Sequence, residues 1–445
     1  MATHDALQTL LKQQRRRVVA HLARSLGLTH LALAEDAVQT AALRALEVWP
    51  AQGVPANPAG WLYRVARHEA IDALRVAGRH DSWPDEDEGA AQAALPPVQP
   101  PTGRFSGELD DDELALMFCA CHPRLPVAAQ VALALRALAG LDLATIAAGL
   151  LCTEAALAQR LARARASLKP DDLRLPAGHE LPARREAVLT TLSLAFHAGA
   201  RARARAGHAS DTATGRAGHH NPATALCWEA IRLARALAAH PAAAHADADA
   251  LAAMLLLHGA RLSGQLDDAG HIVLLPGQPR DRWDRGLMRM GLVHLQAAQR
   301  GTMLSRWHLL AGIAAEHAIA PDAASTDWPA IARHYDTLLR LDPTAAPRLG
   351  HAIAKAEAGK PAQALQLLQA LQAELPRALQ AHGLAAQARA CERLGKVADA
   401  LRLLHQAAAA APHAAEARAL LRRAETLSTQ PLGPPAASGL TPTIS

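Results

Sequence analysis

Between residues 31 and 49, Leu31, Ala34, Val38, Ala41, Ala42, Ala45 and Trp49 recur at the spacing of one helix face, and Pro50 predicts the stop. The stretch 7–77 reads as three or four such helices. After the loop "AQGVPANP", Asn57 followed by Pro58 predicts a capped helix start. On the helix that follows, Leu62, Val65, Ala66, Ala70 and Ala73 turn inward, while Arg64, Arg67, His68 and Arg75 share the outer side.

The pattern breaks after residue 80. "DSWPDEDEGAAQAALPPVQPPTGRFSGELDDDE" holds ten carboxylates and one arginine among prolines and glycines, and predicts an acidic, flexible linker over 81–110. A second helical unit follows over 111–170. In it, Ile146, Ala147 and Leu150 form the inner side of a short helix, Leu151-Cys152 a tight turn, and Thr153 the cap of a longer helix. Leu157, Leu161, Ala164 and Leu168 line one side of that helix; Ala156, Gln159, Arg160, Arg163 and Ser167 line the other. A third stretch, 180–425, is helical again, with a loop predicted at 199–222 and a disordered tail over 426–445.

Within the third stretch, "AGKPAQALQLLQAL" and "LGKVADALRLLHQA" repeat at an offset of 36 residues. Ala352, Gly359, Ala364, Leu368 and Pro376 map onto Ala388, Gly395, Ala400, Leu404 and Pro412. Small residues let paired helices approach, glycine ends the first and proline ends the second. This resembles the tetratricopeptide repeat, whose period is close to this one.

Composition sharpens the fold class. Alanine and leucine dominate, and aromatic residues make up only 3% of the 445-residue chain, which favours helices throughout and predicts an all-α protein of two or three domains. The net charge of +5 says little until its distribution is considered. Five scattered cysteines suit a reduced compartment, and no signal core or membrane-length apolar run is seen, so a soluble, cytoplasmic protein is expected.

Three groups of residues could carry chemistry. A short helix, a turn and a capped helix with a cationic outer side is the helix-turn-helix layout, against the plainer reading of a solvated helical hairpin. On the helix within 57–75, arginines can hold phosphates and Trp61 and Tyr63 could stack on unpaired bases, or the rings are core flanked by solvated cations. "CACH" offers Cys119, Cys121 and His122 without a second ligand pair at zinc spacing, and His219-His220 fall in the predicted loop. There is no phosphate-binding glycine loop, no HExxH, no GxSxG and no dinucleotide fingerprint. These patterns predict no enzyme, no metal and no cofactor.

In order, "LALAEDAVQTAALRALEVWP", "NPAGWLYRVARHEAIDALR", the linker and the helix-turn-helix resemble a bacterial sigma factor of the extracytoplasmic-function (ECF) type. "DDELALMFCACHPRLPVAAQVALALRALAGL" and "DRWDRGL" are similar to the subgroup that carries a long tetratricopeptide-like C-terminal extension. The resemblance implies core RNA polymerase and promoter DNA as partners; stacked small-residue hairpins would let the extension dock on the sigma core or receive a protein partner. It places Glu35, Asp36 and Gln39 on the polymerase-facing surface. It places Asn57, Trp61, Arg64, Arg67, His68 and Arg75 at the −10 element, in region 2. It places Thr153, Ala156, Gln159, Arg160, Arg163 and Ser167 at the −35 element, in region 4. Region 2 would span 1–80 and region 4 111–170. The chain departs from the family pattern at Thr40-Ala41-Ala42, where Glu-x-Phe is common, and at 194–207, where Asn-Glu-Gly-Tyr is usual. The rival readings are a stand-alone helix-turn-helix regulator and a helical-repeat scaffold.

Overall fold

The computed structural model describes the backbone of residues 2–27, 30–76, 105–138, 141–150, 152–169, 172, 176, 178–206, 222–241 and 243–429. It is all-α: eighteen α-helices, with one isolated bridge between Leu266 and Ile272 and no strand among the described residues. Most of the acidic linker, His219-His220, and the tail from 430 onward lie outside the described residues. Two expectations are corrected at their ends: 199–206 and 222, expected in a loop, are helical, as are 426–429, expected in the disordered tail.

Two compact units are present, one formed by 1–199 with 222–244 and the other by 200–221 with 245–445. The first begins with α1 (Ala2–Leu26), α2 (Leu31–Gln52) and α3 (Pro58–Val76), which pack on one another. The expected stop at Pro50 is corrected: α2 runs to Gln52 and ends where Gly53 takes φ +85° and its N–H donates to Trp49 O at 2.9 Å. A proline so close to the end removes one intrahelical bond, whereas a left-handed residue removes the helix path altogether. α3 begins as expected, with Asn57 Oδ1 accepting from Gly60 N at 2.9 Å. Ala73 is exposed and Leu74 takes the inward position.

α4 (Phe105–Ala120) packs on α1, so residues 105–110, expected in the linker, belong to a helix. Next come α5 (Val127–Ala137), α6 (Leu143–Leu150) and α7 (Glu154–Ser167). α5 is apolar nearly all round, with Ala129, Gln130, Val131, Ala132, Leu133, Ala134, Leu135 and Ala137 all buried. A helix with no wet side needs cover on every side, and α4, α6 and α7 pack against it. Beyond residue 180 come α8 (Leu181–Ala206), which reaches α5 through Thr191, and α9 (Pro222–Ala239).

Polar contacts fix α8 to this core. Gln130 Nε2 donates to the carbonyls of His122 and Leu125 at 3.2 and 2.8 Å, while its Oε1 accepts from Thr191 Oγ1 at 2.9 Å. Arg184 donates to Phe118 O at 3.3 Å. α9 packs on α6, and Arg232 reaches Glu113 of α4 at 2.8 Å and Leu138 O at 3.3 Å. Gly199 makes the approach of α8 to α9 possible: a Cβ there would lie 2.6 Å from Ala223 O and 2.9 Å from Cys227 Sγ. The extension expected to start at 180 therefore gives its first two helices, α8 as far as Gly199, to the compact unit that holds α5–α7.

The second unit centres on α10 (Ala246–Ala260), again buried on nearly all sides, against which α11 (Arg285–Ala298) and α12 (Arg306–Ile319) pack. Sequential hairpins follow: α13 (Trp328–Leu341), α14 (Ala345–Glu357), α15 (Pro361–Gln372), α16 (Arg377–Arg393), α17 (Val397–Ala410) and α18 (Ala414–Thr429). The 36-residue repeat has one geometry in both copies. Gly359 and Gly395 turn the chain at φ +86° and +72°, and Ala352, Ala388, Ala364, Ala400, Leu368 and Leu404 are all at most 1% exposed. Open space surrounds both glycines, so their role is conformational rather than one of close packing.

If the Gln130 bridge holds α8 to α5, Thr191→Val should leave a buried carbonyl oxygen without a donor and lower unfolding stability by about 1–3 kcal/mol. Denaturant melts of the full chain would show this as a lower midpoint at unchanged slope.

Candidate nucleic-acid and polymerase interface

Two helices present cations on a packed apolar base. On α3, Trp61, Leu62, Val65, Ala66, Ala70 and Leu74 are buried, and Arg64, His68 and Arg75 are exposed with Arg67 partly so. Arg75 lies 3.8 Å from Asp72 in an exposed pair, while neither Arg64 nor Arg67 has an acidic partner among the described residues. The expected base-stacking ring at Trp61 is corrected. Trp61 is 1% exposed and packs edge-on against Trp49, ring centroids 5.4 Å apart, so no base can reach it in this conformation. Tyr63 is half-buried against His21, centroids 4.4 Å apart. The rings anchor α3 to α2 and α1; the cations are what α3 presents to solvent.

α6 and α7 are the two helices expected to make a helix-turn-helix; Leu151 of the expected turn lies outside the described residues. Asp142 caps α6 through Thr145 N at 2.6 Å, and Thr153 caps α7 through Ala156 N at 3.2 Å. Leu157, Leu161 and Ala164 are buried; Thr153, Ala156, Gln159, Arg163 and Ser167 are exposed, and Arg160 partly so. Two of these side-chain oxygens are committed within the helix: Thr153 Oγ1 to its cap, and Ser167 Oγ, which donates to Arg163 O at 2.8 Å. Gln159, Arg160 and Arg163 remain as the groups on this helix able to reach outward.

α2 carries the residues expected to face polymerase. Asp36 and Gln39 are exposed, and Gln39 accepts a long contact of 3.5 Å from Arg15. Glu35 is a correction: it is buried, with its carboxylate paired to Arg136 of α5. Its second oxygen has no hydrogen-bond partner. Burial raises the Glu35 pKa, against the pull of Arg136, Arg165 and Arg15. Arg165, on α7, has its own pKa lowered by burial, with Glu35 opposing the shift. Arg136 and Arg165 were not legible as functional residues. Glu35 and Arg136 stand 101 positions apart, and no local pattern signals such a pairing.

The "CACH" residues have structural employment. Cys119 and Cys121 are buried, and burial pushes both thiols up to about 12. His122 Nδ1 accepts from Arg124 N at 3.0 Å and its Nε2 lies 3.4 Å from Asp172. Burial and Arg184 lower the His122 pKa, with Asp172 opposing. No group of three metal-binding side chains occurs among the described residues, so the zinc alternative lacks a ligand set there.

Comparison with known proteins matches residues 11–80 to sigma-70 region 2 and residues 184–299 to a family of unknown function, DUF6596. The uncharacterized protein R00370 of Rhizobium meliloti (strain 1021) is 33% identical over 375 residues, covering 82% of this chain and 84% of the relative. No solved structure matches. The chain belongs to one family with that relative, and its N-terminal domain is a sigma-70 region 2, the mark of a sigma-70 family RNA polymerase sigma factor. Region 2 implies core RNA polymerase and promoter DNA as partners. No described helix is long and apolar enough to cross a membrane.

The division of labour on α3 is testable. Trp61→Ala should cost about 3–5 kcal/mol of stability by removing a buried ring. Arg64→Ala with Arg67→Ala should stay within about 0.5 kcal/mol per site, as solvated substitutions do. Thermal melts of both variants would check this, and equal losses would place the arginines in the core.

Proposed function

We propose that this protein is an ECF-type sigma factor that directs core RNA polymerase to specific promoters. α3 works on the opened −10 element and α7 reads the −35 element. The observation that carries the reading is the pairing of a region 2 match with a capped, cationic helix-turn-helix in the same compact unit. A repressor that binds only duplex DNA has no use for region 2.

Polymerase is held through Asp36 and Gln39, which lie exposed on a helix whose other side is fully packed. Glu35 contributes only if its pair with Arg136 opens. Arg64, Arg67, His68 and Arg75 track the DNA backbone, and Asn57 stands at the start of the same helix. In the major groove, Gln159, Arg160 and Arg163 make the base-directed contacts, with Thr153, Ala156 and Ser167 lining the same side. The hairpins of 345–429 form a tetratricopeptide-like platform whose stacked pairs suit a protein partner.

Run-off transcription with purified core polymerase tests the reading. Asp36→Arg with Gln39→Ala should abolish co-purification with polymerase and the transcript while leaving helicity unchanged. Gln159→Ala or Arg163→Ala should keep co-purification. Loss of a base contact should cost about 1–3 kcal/mol and relax −35 preference, whereas loss of a phosphate contact should weaken all promoters alike. Undiminished polymerase capture by the first variant would overturn the assignment of α2.

A further inference from the structure

We propose that the second compact unit holds a binding site for a small phosphate-bearing molecule, in the recess between the end of α8, the 269–272 turn and α18. The recess has a volume of about 280 Å³, and Arg205, Arg418, Arg422 and His271 supply its charged and polar lining. Ala204, Ala206, Ala269, Ile272 and Ala415 give it an apolar wall.

Charge and hydrogen bonding point to an anion. Three guanidinium groups converge on one recess, where like charges repel. The acid facing them is Glu416, 3.8 Å from Arg205 Nη2. The nearby acid Asp267 is already engaged, accepting from the Ala269 and His271 amides at 3.0 and 2.8 Å and lying 3.3 Å from His271 Nδ1. Arg205 Nε and Nη1 are buried with no hydrogen-bond partner. Burial lowers the Arg205 pKa, with Glu416 opposing. Arg422 spends one nitrogen on Ile272 O at 3.3 Å, and Arg418 is exposed at the rim.

A tetrahedral oxyanion supplies what these groups lack. The fork of one guanidinium matches two phosphate oxygens, and the remaining oxygens accept from its neighbours. Three arginines against Glu416 and Asp267 leave the recess with an excess of positive charge, which suits an anion. The apolar wall leaves room for a small organic substituent on the phosphate. The site stands on residues remote in sequence from α2, α3 and α7, so it does not rest on the transcription reading.

Isothermal titration of the full chain with inorganic phosphate and with pyrophosphate, at constant ionic strength in chloride, tests the proposal. Saturable binding with a raised melting temperature is expected. Arg205→Ala should weaken it at least tenfold. Arg418→Ala, at an exposed position that folding does not depend on, should weaken it several-fold, and Arg418→Lys should restore part of the loss. Absence of saturable binding by either anion would overturn the site, as would binding that survives both alanine substitutions. Loss of duplex DNA binding in these variants, without phosphate binding in the parent, would overturn it in favour of a nucleic-acid contact.

Discussion

A helix that is apolar on nearly every side cannot stand at a surface, and α5 is such a helix. Its burial dictates the organisation of the first compact unit: α4, α6 and α7 pack against it, and α8 reaches it through the Thr191 hydrogen bond. Its two polar side chains then become fixed points. Gln130 satisfies two carbonyls and takes a proton donor from Thr191, which sets the position of α8. Arg136 finds Glu35, which ties α5 to the helix expected to face polymerase. Leaving either group unpaired in such a setting would cost far more than the net gain from pairing it.

This constraint bears on the part of the chain proposed to read DNA. α7 presents Gln159, Arg160 and Arg163 because Leu157, Leu161 and Ala164 are pressed inward, and α6 behind it is backed by α9. α8 and α9 lie within or beside the match to a family of unknown function, yet α8 as far as Gly199 and all of α9 belong to the same compact unit as α6 and α7. The later hairpins, from α13 onward, pack chiefly on their neighbours in sequence and belong with α10–α12 to the second compact unit.

Much of this was legible in the sequence because it is local. Asn57 and Thr153 announced their caps, the spacing of Leu157 and Leu161 announced the buried side of α7, and the 36-residue offset located two glycines with matching positive φ. What was not legible depends on distant partners. A helical wheel places Trp61 near the arginines but cannot show that Trp49 covers it. Nothing around Glu35 shows that it turns toward Arg136, and nothing around residue 180 shows that the next helix completes an earlier core. Pro50 misled for a related reason: its effect depends on how little helix remains after it.

The most direct test of the account is promoter-dependent run-off transcription by two shortened chains with core polymerase, one ending at residue 244 and one at residue 169. The first retains α8 and α9; the second strips them away while keeping the region 2 match and α5–α7. The account predicts a promoter-specific transcript from the 1–244 chain and its loss from the 1–169 chain. Equal activity from both would contradict the structural dependence of α7 on α8 and α9, and no promoter-dependent transcript from either the 1–244 or the full chain would contradict the sigma-factor reading.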